Sequence, residues 1–380
     1  MMQTFQASFK NNQWTSSLPV DFDSDSTLLI IYFASKFSTH DIWKEIKTSF
    51  PKAKIIGCSG AGEVRSSEIT DDEIIVTGIK FAKTTLHFSS IKEIKGKSSE
   101  EVGKNLASDF PKNNLKGLYL LSDGLSVNGT ALIKGIKDVL GQEIHLSGGL
   151  AGDGANFKNT FVLVDGLPAE NAVTAVGFYG EHIQICASAD GGWIPFGVER
   201  KITKSEANIL FELDGKPALE LYKEFLGEQA KKLPASALLF PIYLKTGTHQ
   251  ENRNAVRTIL AVDESNQSMT FAGDVPEGTS IQLMRAGHEN LVEAAKNVSI
   301  VNKMKTQSDG QTVSLIVSCV GRRLVLGEKT ENEVETVLEN LPSNTIQTGF
   351  YSYGEIAPGK SGVCDLHNQT MTVTLIQEKG

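Results

Sequence analysis

One frame recurs along this chain and limits what it can fold into: a small residue at the end of a strand, and five positions later a glycine followed by an acid. Gly57 leads to Gly62-Glu63, and Gly349 leads to Gly354-Glu355. Ser147 leads to Gly152-Asp153 with the same spacing. Each frame closes a strand–helix–strand run. The first is "TLLIIYFAS", "THDIWKEIKTSF", "AKIIGCSGAGEV"; the second is "LKGLYLLSDG", "NGTALIKGIKDVLG", "EIHLSGGLAGDG"; the third is "TVSLIVSCVGR", "TENEVETVLENL", "TIQTGFYSYGEI". The first and last also share a threonine at the helix start (Thr39, Thr330), read as a cap, and a proline at its exit (Pro51, Pro342). The middle copy matches in spacing alone.

A glycine just past a strand permits a positive φ or a close backbone approach. The acid after it either fixes the turn by accepting N–H bonds or points into a shared cleft. For one copy the turn-fixing role is favoured. Three copies at strand ends favour a cleft, because binding sites gather at such ends.

Around these units, "DEIIVTGIKFAKTTLHFSSI" reads as an antiparallel strand pair, and so do "AVTAVGFYG" and "HIQICASA". "DGKPALELYKEFLG" and "GHENLVEAAKNVSIVNKMK" have helical spacing, and "QTMTVTLIQ" alternates as a closing strand. The expected fold class is mixed α/β (α+β), with repeated strand–helix–strand units, antiparallel pairs and layered mixed sheets with helices outside. The expected division is an N-terminal extension over 1–25 and domains over 26–212 and 213–380, with the boundary near Asn208–Asp214.

Composition removes several function classes. A net charge of −8, with no block of Lys and Arg, argues against nucleic acid and anionic membrane surfaces. The N-terminus has neither the basic start nor the apolar core of a signal peptide, and no apolar run spans a bilayer. Cys58, Cys186, Cys319 and Cys364 show no CxxC or metal spacing, so a cytoplasmic location with reduced thiols is expected.

Two motifs mislead. Gly57-Cys58-Ser59-Gly60 nearly fits the nucleophile elbow, but Ala61 stands where its final glycine belongs, and Ser59 has no assignable Asp and His. "GEIAPGKS" (354–361) matches the phosphate loop literally, yet "GVCDLHNQTMTVTLI" after it is turn and strand where a helix is required. Seven histidines (His40, His87, His145, His182, His249, His288, His367) have no paired metal spacing. Haem, unlike zinc, needs only one protein ligand, so scattered histidines leave haem open.

"IIGCSGAGEV", "LSGGLAGDGANF", "GGWIPFG" and "ELDGKPALELY", followed in order by "FAGDVPEG", "VSCVGRRLVLG", "GFYSYGEIAP" and "LHNQTMTVTLI", resemble the FIST family over nearly the whole chain. These are sensory domains of bacterial signalling proteins that also occur in eukaryotic F-box proteins. The departure is Gly60, where the family more usually carries Thr. The resemblance implies a small-molecule sensor with amino acids and similar metabolites as ligands. Without a kinase, cyclase, chemoreceptor or F-box segment, its output is expected to pass to a separate partner.

Stand-alone members look like the haem-binding nitric oxide sensors that regulate a companion histidine kinase. On that resemblance haem is the expected cofactor, with His367 as lead axial ligand and His145 and His40 as alternatives. The competing reading is a sensor of a small polar metabolite such as an amino acid. Its ligand residues would be Cys58, Ser59, Gly60, Glu63, Gly148, Gly149, Asp153, Arg322, Tyr351, Tyr353 and Glu355, with Glu63, Asp153, Glu355 and Arg322 meeting an ammonium and a carboxylate. A third reading is a hydrolase with a Cys58 or Ser59 nucleophile. The partners expected are a histidine kinase or other signalling protein and a small molecule, with a homo-oligomer left open.

Overall fold

The computed structural model describes residues 1–245, 255–303, 310–359 and 362–379. His249, and Lys360 and Ser361 of "GEIAPGKS", lie outside them. Thr27–Ala34 is buried along its whole length, as an apolar strand covered on both faces must be. It runs parallel to Lys54–Gly60, with Leu28 opposite Lys54 and Ala34 opposite Gly60. The helix between them, Ile42–Ser49, lays Ile42, Trp43 and Ile46 on the sheet. Ile74–Lys80 returns antiparallel beside Thr27–Ala34, and Gln3–Lys10 pairs with it in turn. Residues 1–25 thus contribute a strand to this sheet.

The same four-strand order appears twice more. In the second sheet it is Leu146–Leu150, Leu115–Ser122, Val173–Tyr179 and Thr85–Ile91. In the third it is Thr345–Ser352, Thr312–Cys319, Met371–Glu378 and Ile183–Asp190. The fold is mixed α+β, built on one unit used three times.

The units are tied by an exchange of short hairpins. After its second parallel strand, each unit sends a hairpin to the edge of another unit's sheet. Glu63–Arg65 and Glu68–Thr70 extend the third sheet, with Phe350 opposite Glu63. Gly354–Pro358 and Cys364–His367 extend the second, with Gly149 opposite Glu355. Val162–Val164 and Leu167–Ala169 extend the first, with Cys58 opposite Val162. The exchange closes into a ring, and the edge beside each unit's second parallel strand is paired.

The inner faces share one core that includes Leu28, Ile30, Tyr32, Tyr119, Leu121, Val313, Leu315 and Val317. Within it the Tyr32 and Tyr119 hydroxyls bond at 2.6 Å, and Tyr32 stacks on Phe350 at 4.9 Å. Helices cover the outer faces. Leu29, Ile31 and Phe33 pack under Ile42, Trp43 and Ile46 in the first unit. Ser99–Ser108 and Gly129–Leu140 cover the second, and His288–Lys303 and Glu331–Glu339 the third. Between Ile183–Asp190 and His288–Lys303 the third unit carries an inserted sheet of eight strands with the helix Ala218–Leu226 and its own core.

Some sequence expectations change. "DEIIVTG…HFSSI" and "AVTAVGFYG…HIQICASA" are not antiparallel pairs, because each crosses from one sheet to the next. The crossing at 81–84 is held by Glu378 of the last strand, which accepts from Ala82 N, Lys83 N and Thr84 N, each at 2.8 Å. Thr39 is not a helix cap; it lies in a preceding turn, and His40 Nδ1 accepts the Ile42 N–H at 3.0 Å. The Thr330 hydroxyl donates backward to Gly327 O and does not cap the helix that follows.

Two outcomes follow from this wiring. Residues 1–180 and 183–380, produced separately, are expected to stay unfolded, and co-expression is expected to restore one cooperative transition. A dispersed amide spectrum from 1–180 alone would contradict the exchange. Gly148 has φ +139° and a Cβ there would lie 1.8 Å from Leu120 O, so Gly148→Ala is expected to cost more than about 3 kcal/mol in chemical denaturation; a cost under about 1 kcal/mol would be inconsistent with that approach.

Candidate functional site

The three glycine–acid runs meet around the ring. Ala61 N donates to Tyr351 O at 2.7 Å, Tyr351 N to Gly62 O at 2.8 Å, Gly152 N to Ser59 O at 2.9 Å and Tyr353 N to Leu150 O at 3.1 Å. The acids behind them are all buried, but their surroundings differ. Asp153 fixes a turn: it accepts from Phe157 N and Lys158 N at 2.9 Å, from Asn159 N at 3.0 Å, and from the Tyr353 hydroxyl. Tyr353 stacks on Phe157 at 4.4 Å, which closes that junction. Glu355 accepts from Ser352 Oγ at 2.6 Å and from Thr370 N and Oγ1 at 3.1 and 3.0 Å. Burial still pushes its carboxyl up to about 8.

Glu63 is different. It is 0% exposed, and neither carboxylate oxygen has a hydrogen-bond partner. Burial first, and then the charge of Asp71, push its carboxyl well above the usual range, with Arg323 opposing. The third unit explains the loss. Gly60 lies opposite Ala34 as Ser352 lies opposite Cys319, and Ala34 N donates to Glu73 O as Cys319 N donates to Thr370 O. The two residues whose hydroxyls bond Glu355, Ser352 and Thr370, are therefore matched at Glu63 by a glycine and by a second acid.

A Cβ on Gly60 would stand 2.9 Å from Glu63 Oε1, where a side-chain hydroxyl would reach it. Glu73 is buried as well; Lys10 Nζ meets its Oε1 at 2.8 Å, and Oε2 has no partner. Above Gly62 lies Arg323, which donates to Ala61 O at 2.6 Å, pairs with both oxygens of Asp71, and sits over the Tyr351 ring at 5.6 Å. Sequence reasoning missed Arg323, Glu73 and Asp71. The signal available was the run Asp71-Asp72-Glu73 directly before the return strand.

The other expected site residues are structural neighbours of this junction. Ser59 Oγ donates to Gly152 O at 2.7 Å and accepts from Phe161 N at 3.0 Å, and Cys58 is fully buried with its thiol pushed well up by burial and by Glu63. Neither is presented as a nucleophile. Gly148 and Gly149 allow the second unit's strand to approach Leu120 and Val317.

Tyr351 donates to Glu333 at 2.7 Å. Arg322 does not join the acids: its Nε and Nη2 pair with Glu333 at 3.0 and 2.7 Å, while Nη1 and Nη2 donate to Gly191 O and Leu291 O at 2.6 and 2.9 Å. Tyr351 and Tyr353, expected among the ligand residues, are packed in the interior. A surface depression of about 330 Å³, lined by Lys92, Glu93, Lys95, Ala169, Glu170 and Asn171, lies elsewhere.

The three histidines expected as axial candidates lie in separate places. His367 Nε2 bonds Ala357 O at 2.9 Å inside its hairpin, and burial lowers its basicity. His145 precedes Leu146–Leu150, at the end of that strand away from the acids. The His40 ring packs against Phe9 and Phe37 while its Nδ1 accepts from the helix that follows. Among the described residues, no three His, Cys, Asp or Glu side chains gather as a metal set, and no helix is long and apolar enough to cross a membrane.

Comparison with known proteins agrees with the order of motifs. The FIST N domain matches residues 27–216 and the FIST C domain residues 218–358, and the two meet inside the inserted sheet. An uncharacterized protein of Methanocaldococcus jannaschii is 25% identical over 338 residues, which is 82% of this chain and 64% of that protein. The chain thus spans a little under two thirds of that relative's length. With both of its domains matched in succession, the chain belongs to the FIST family.

Proposed function

We propose that this chain is the ligand-binding module of a signalling system, and that it takes a small molecule bearing an ammonium group, such as an amino acid, at Glu63. The observation that carries this reading is the buried Glu63 carboxylate with no partner on either oxygen. Leaving a buried acceptor unmade costs about 1–3 kcal/mol, more for a charged group, and an ammonium supplies three donors and the opposite charge. The FIST N and C domains support a sensory role in general.

Haem and nitric oxide sensing are not part of this proposal, which rests on Glu63 and not on a histidine. The output passes to a histidine kinase or another signalling protein by contact. A cytoplasmic setting suits four buried cysteines with no disulfide among the described residues. The change felt by the partner starts at Arg323, which ties a helix of the third unit to the Asp71 loop of the first. A cation at Glu63 competes with Arg323 for that carboxylate's field and so biases the contact.

Calorimetry against a panel of amino acids and simple amines tests the reading. Saturable binding is expected, weakened at least about tenfold in Glu63→Gln, which corresponds to about 1.4 kcal/mol. Because an ammonium favours the ionised carboxylate, affinity should rise between pH 5 and pH 8. A flat panel, or binding unchanged in Glu63→Gln, would overturn it.

Stability has its own sign. A carboxyl raised by burial stabilises the fold fully below its ordinary pKa, and that contribution is lost as pH rises toward the folded value. Glu63→Gln is therefore expected to raise the thermal midpoint more at pH 8 than at pH 5. An equal shift at both would show that Glu63 does not titrate abnormally.

A further inference from the structure

In each of the three units the fourth strand stands at a sheet edge: Gln3–Lys10 in the first, Thr85–Ile91 in the second and Ile183–Asp190 in the third. An edge presents a row of N–H and C=O groups to any strand that fits it. Two of the three have company. Gln13–Trp14 pairs with the end of Gln3–Lys10, and Thr15 N donates to Ser8 O at 2.8 Å. The helix His288–Lys303 lies along Ile183–Asp190, where Ser188 Oγ donates to Val298 O at 3.3 Å and Cys186 Sγ to Asn302 O at 3.8 Å.

The strand "TLHFSSI", Thr85–Ile91, differs. All seven of its residues pair with Val173–Tyr179 in unbroken register on one side. On the other side, among the described residues, no backbone hydrogen bond reaches it. The devices that protect an edge are missing here, since the strand holds no charge, no proline and no bulge. Thr85 is exposed, and His87, Phe88, Ser90 and Ile91 are half-buried. Phe88 packs against the common core from this edge, so apolar surface reaches the rim.

We infer that this edge pairs antiparallel with the same strand of a second copy of the chain, about a two-fold axis through Phe88. Full overlap of the seven residues fixes that centre. It sets Thr85 against the partner's Ile91, Leu86 against the partner's Ser90, His87 against the partner's Ser89 and Phe88 against the partner's Phe88. No like charges meet within the ladder, and the two phenyl rings close the apolar rim. Beyond its ends the same register brings Lys83 to the partner's Glu93. Both residues are exposed, and the axis repeats the match on the other side. Glu93 lines the surface depression of about 330 Å³ with Glu170 and Asn171; Lys92 and Lys95 line it too, the first 3.8 Å from Asp165. That recess has room for the partner's lysine chain, and two carboxylates to meet it.

Sedimentation equilibrium of the full chain over a concentration series tests this. A reversible monomer–dimer equilibrium is expected. Lys83→Glu and Glu93→Lys each set like charges together on both sides of the axis, and each should raise the dissociation constant at least about threefold. The double variant, Lys83→Glu with Glu93→Lys, restores opposite charges and should return the constant to within about twofold of the original. Phe88→Lys, which sets two cations together on the axis, should leave a monomer.

A cysteine on the axis reads the register directly. Residues directly opposite in an antiparallel pair have Cα atoms about 4.5–5.5 Å apart, within reach of a disulfide. The four native cysteines are buried, so Phe88→Cys is expected to form a covalent dimer on mild oxidation, whereas Val20→Cys, at an exposed position elsewhere, is not. If Phe88→Lys fails to fold, the charge pair and the cross-link decide. A monomer at every concentration would overturn the inference and leave the edge to an extended segment of another protein. A dimer indifferent to Lys83→Glu and Glu93→Lys, a double variant that does not recover, or no cross-link in Phe88→Cys would each overturn it as well.

Discussion

The ring of exchanged hairpins is the constraint on which the rest of this molecule depends. A four-stranded sheet with a short fifth and sixth strand is ordinary, but here those last strands always come from elsewhere in the chain. No unit completes its own edge. The common core behind the sheets is then assembled by all three units together, with Tyr32, Tyr119 and Phe350 contributed one from each. Close approach at the crossings requires small residues, which is why glycine frames the acids.

Repetition also makes the molecule its own control. Glu63 and Glu355 occupy matching places, and the difference between them is two neighbours. Ser352 and Thr370 satisfy one carboxylate, whereas Gly60 and Glu73 leave the other without donors. A buried acid without donors is a poor structural element and a good receptor for a cation. Asp153, the third of the set, takes the structural course: three backbone N–H groups and a tyrosine hydroxyl close its turn.

The repeat itself was legible in the sequence, because the glycine–acid spacing is a direct imprint of strand ends that must pass close to one another. Helix and strand types were legible from periodicity. What periodicity cannot carry is the identity of a strand's partner. Ile74–Lys80 and Thr85–Ile91 alternate like a hairpin, yet the residues between them are held by Glu378, some three hundred positions away, so the chain crosses to another sheet. The same limit applied to charges. Arg322 and Arg323 are adjacent and look interchangeable, but one is sealed against Glu333 and the other stands over the candidate site. That Cys58, Ser59, Tyr351 and Tyr353 lie in the interior was not legible, because neither spacing nor composition supplies burial.

Arg322 joins parts of the molecule that the chain leaves far apart. Its guanidinium holds Gly191 O and Leu291 O, the two places where the chain leaves the third unit for the inserted sheet and comes back. It also holds Glu333, which takes the hydroxyls of Ser318 and Tyr351. The stalk of the appended sheet is thus clipped to the hub of the ring through one rigid planar group. One line of contacts thus runs from the appended sheet through Arg322 and Glu333 to Tyr351, with Arg323 over the Tyr351 ring. That line ends at the strand whose Tyr351 bonds Ala61 and Gly62, so the stalk of the appended sheet and the turn that carries Glu63 share one connected set of polar contacts.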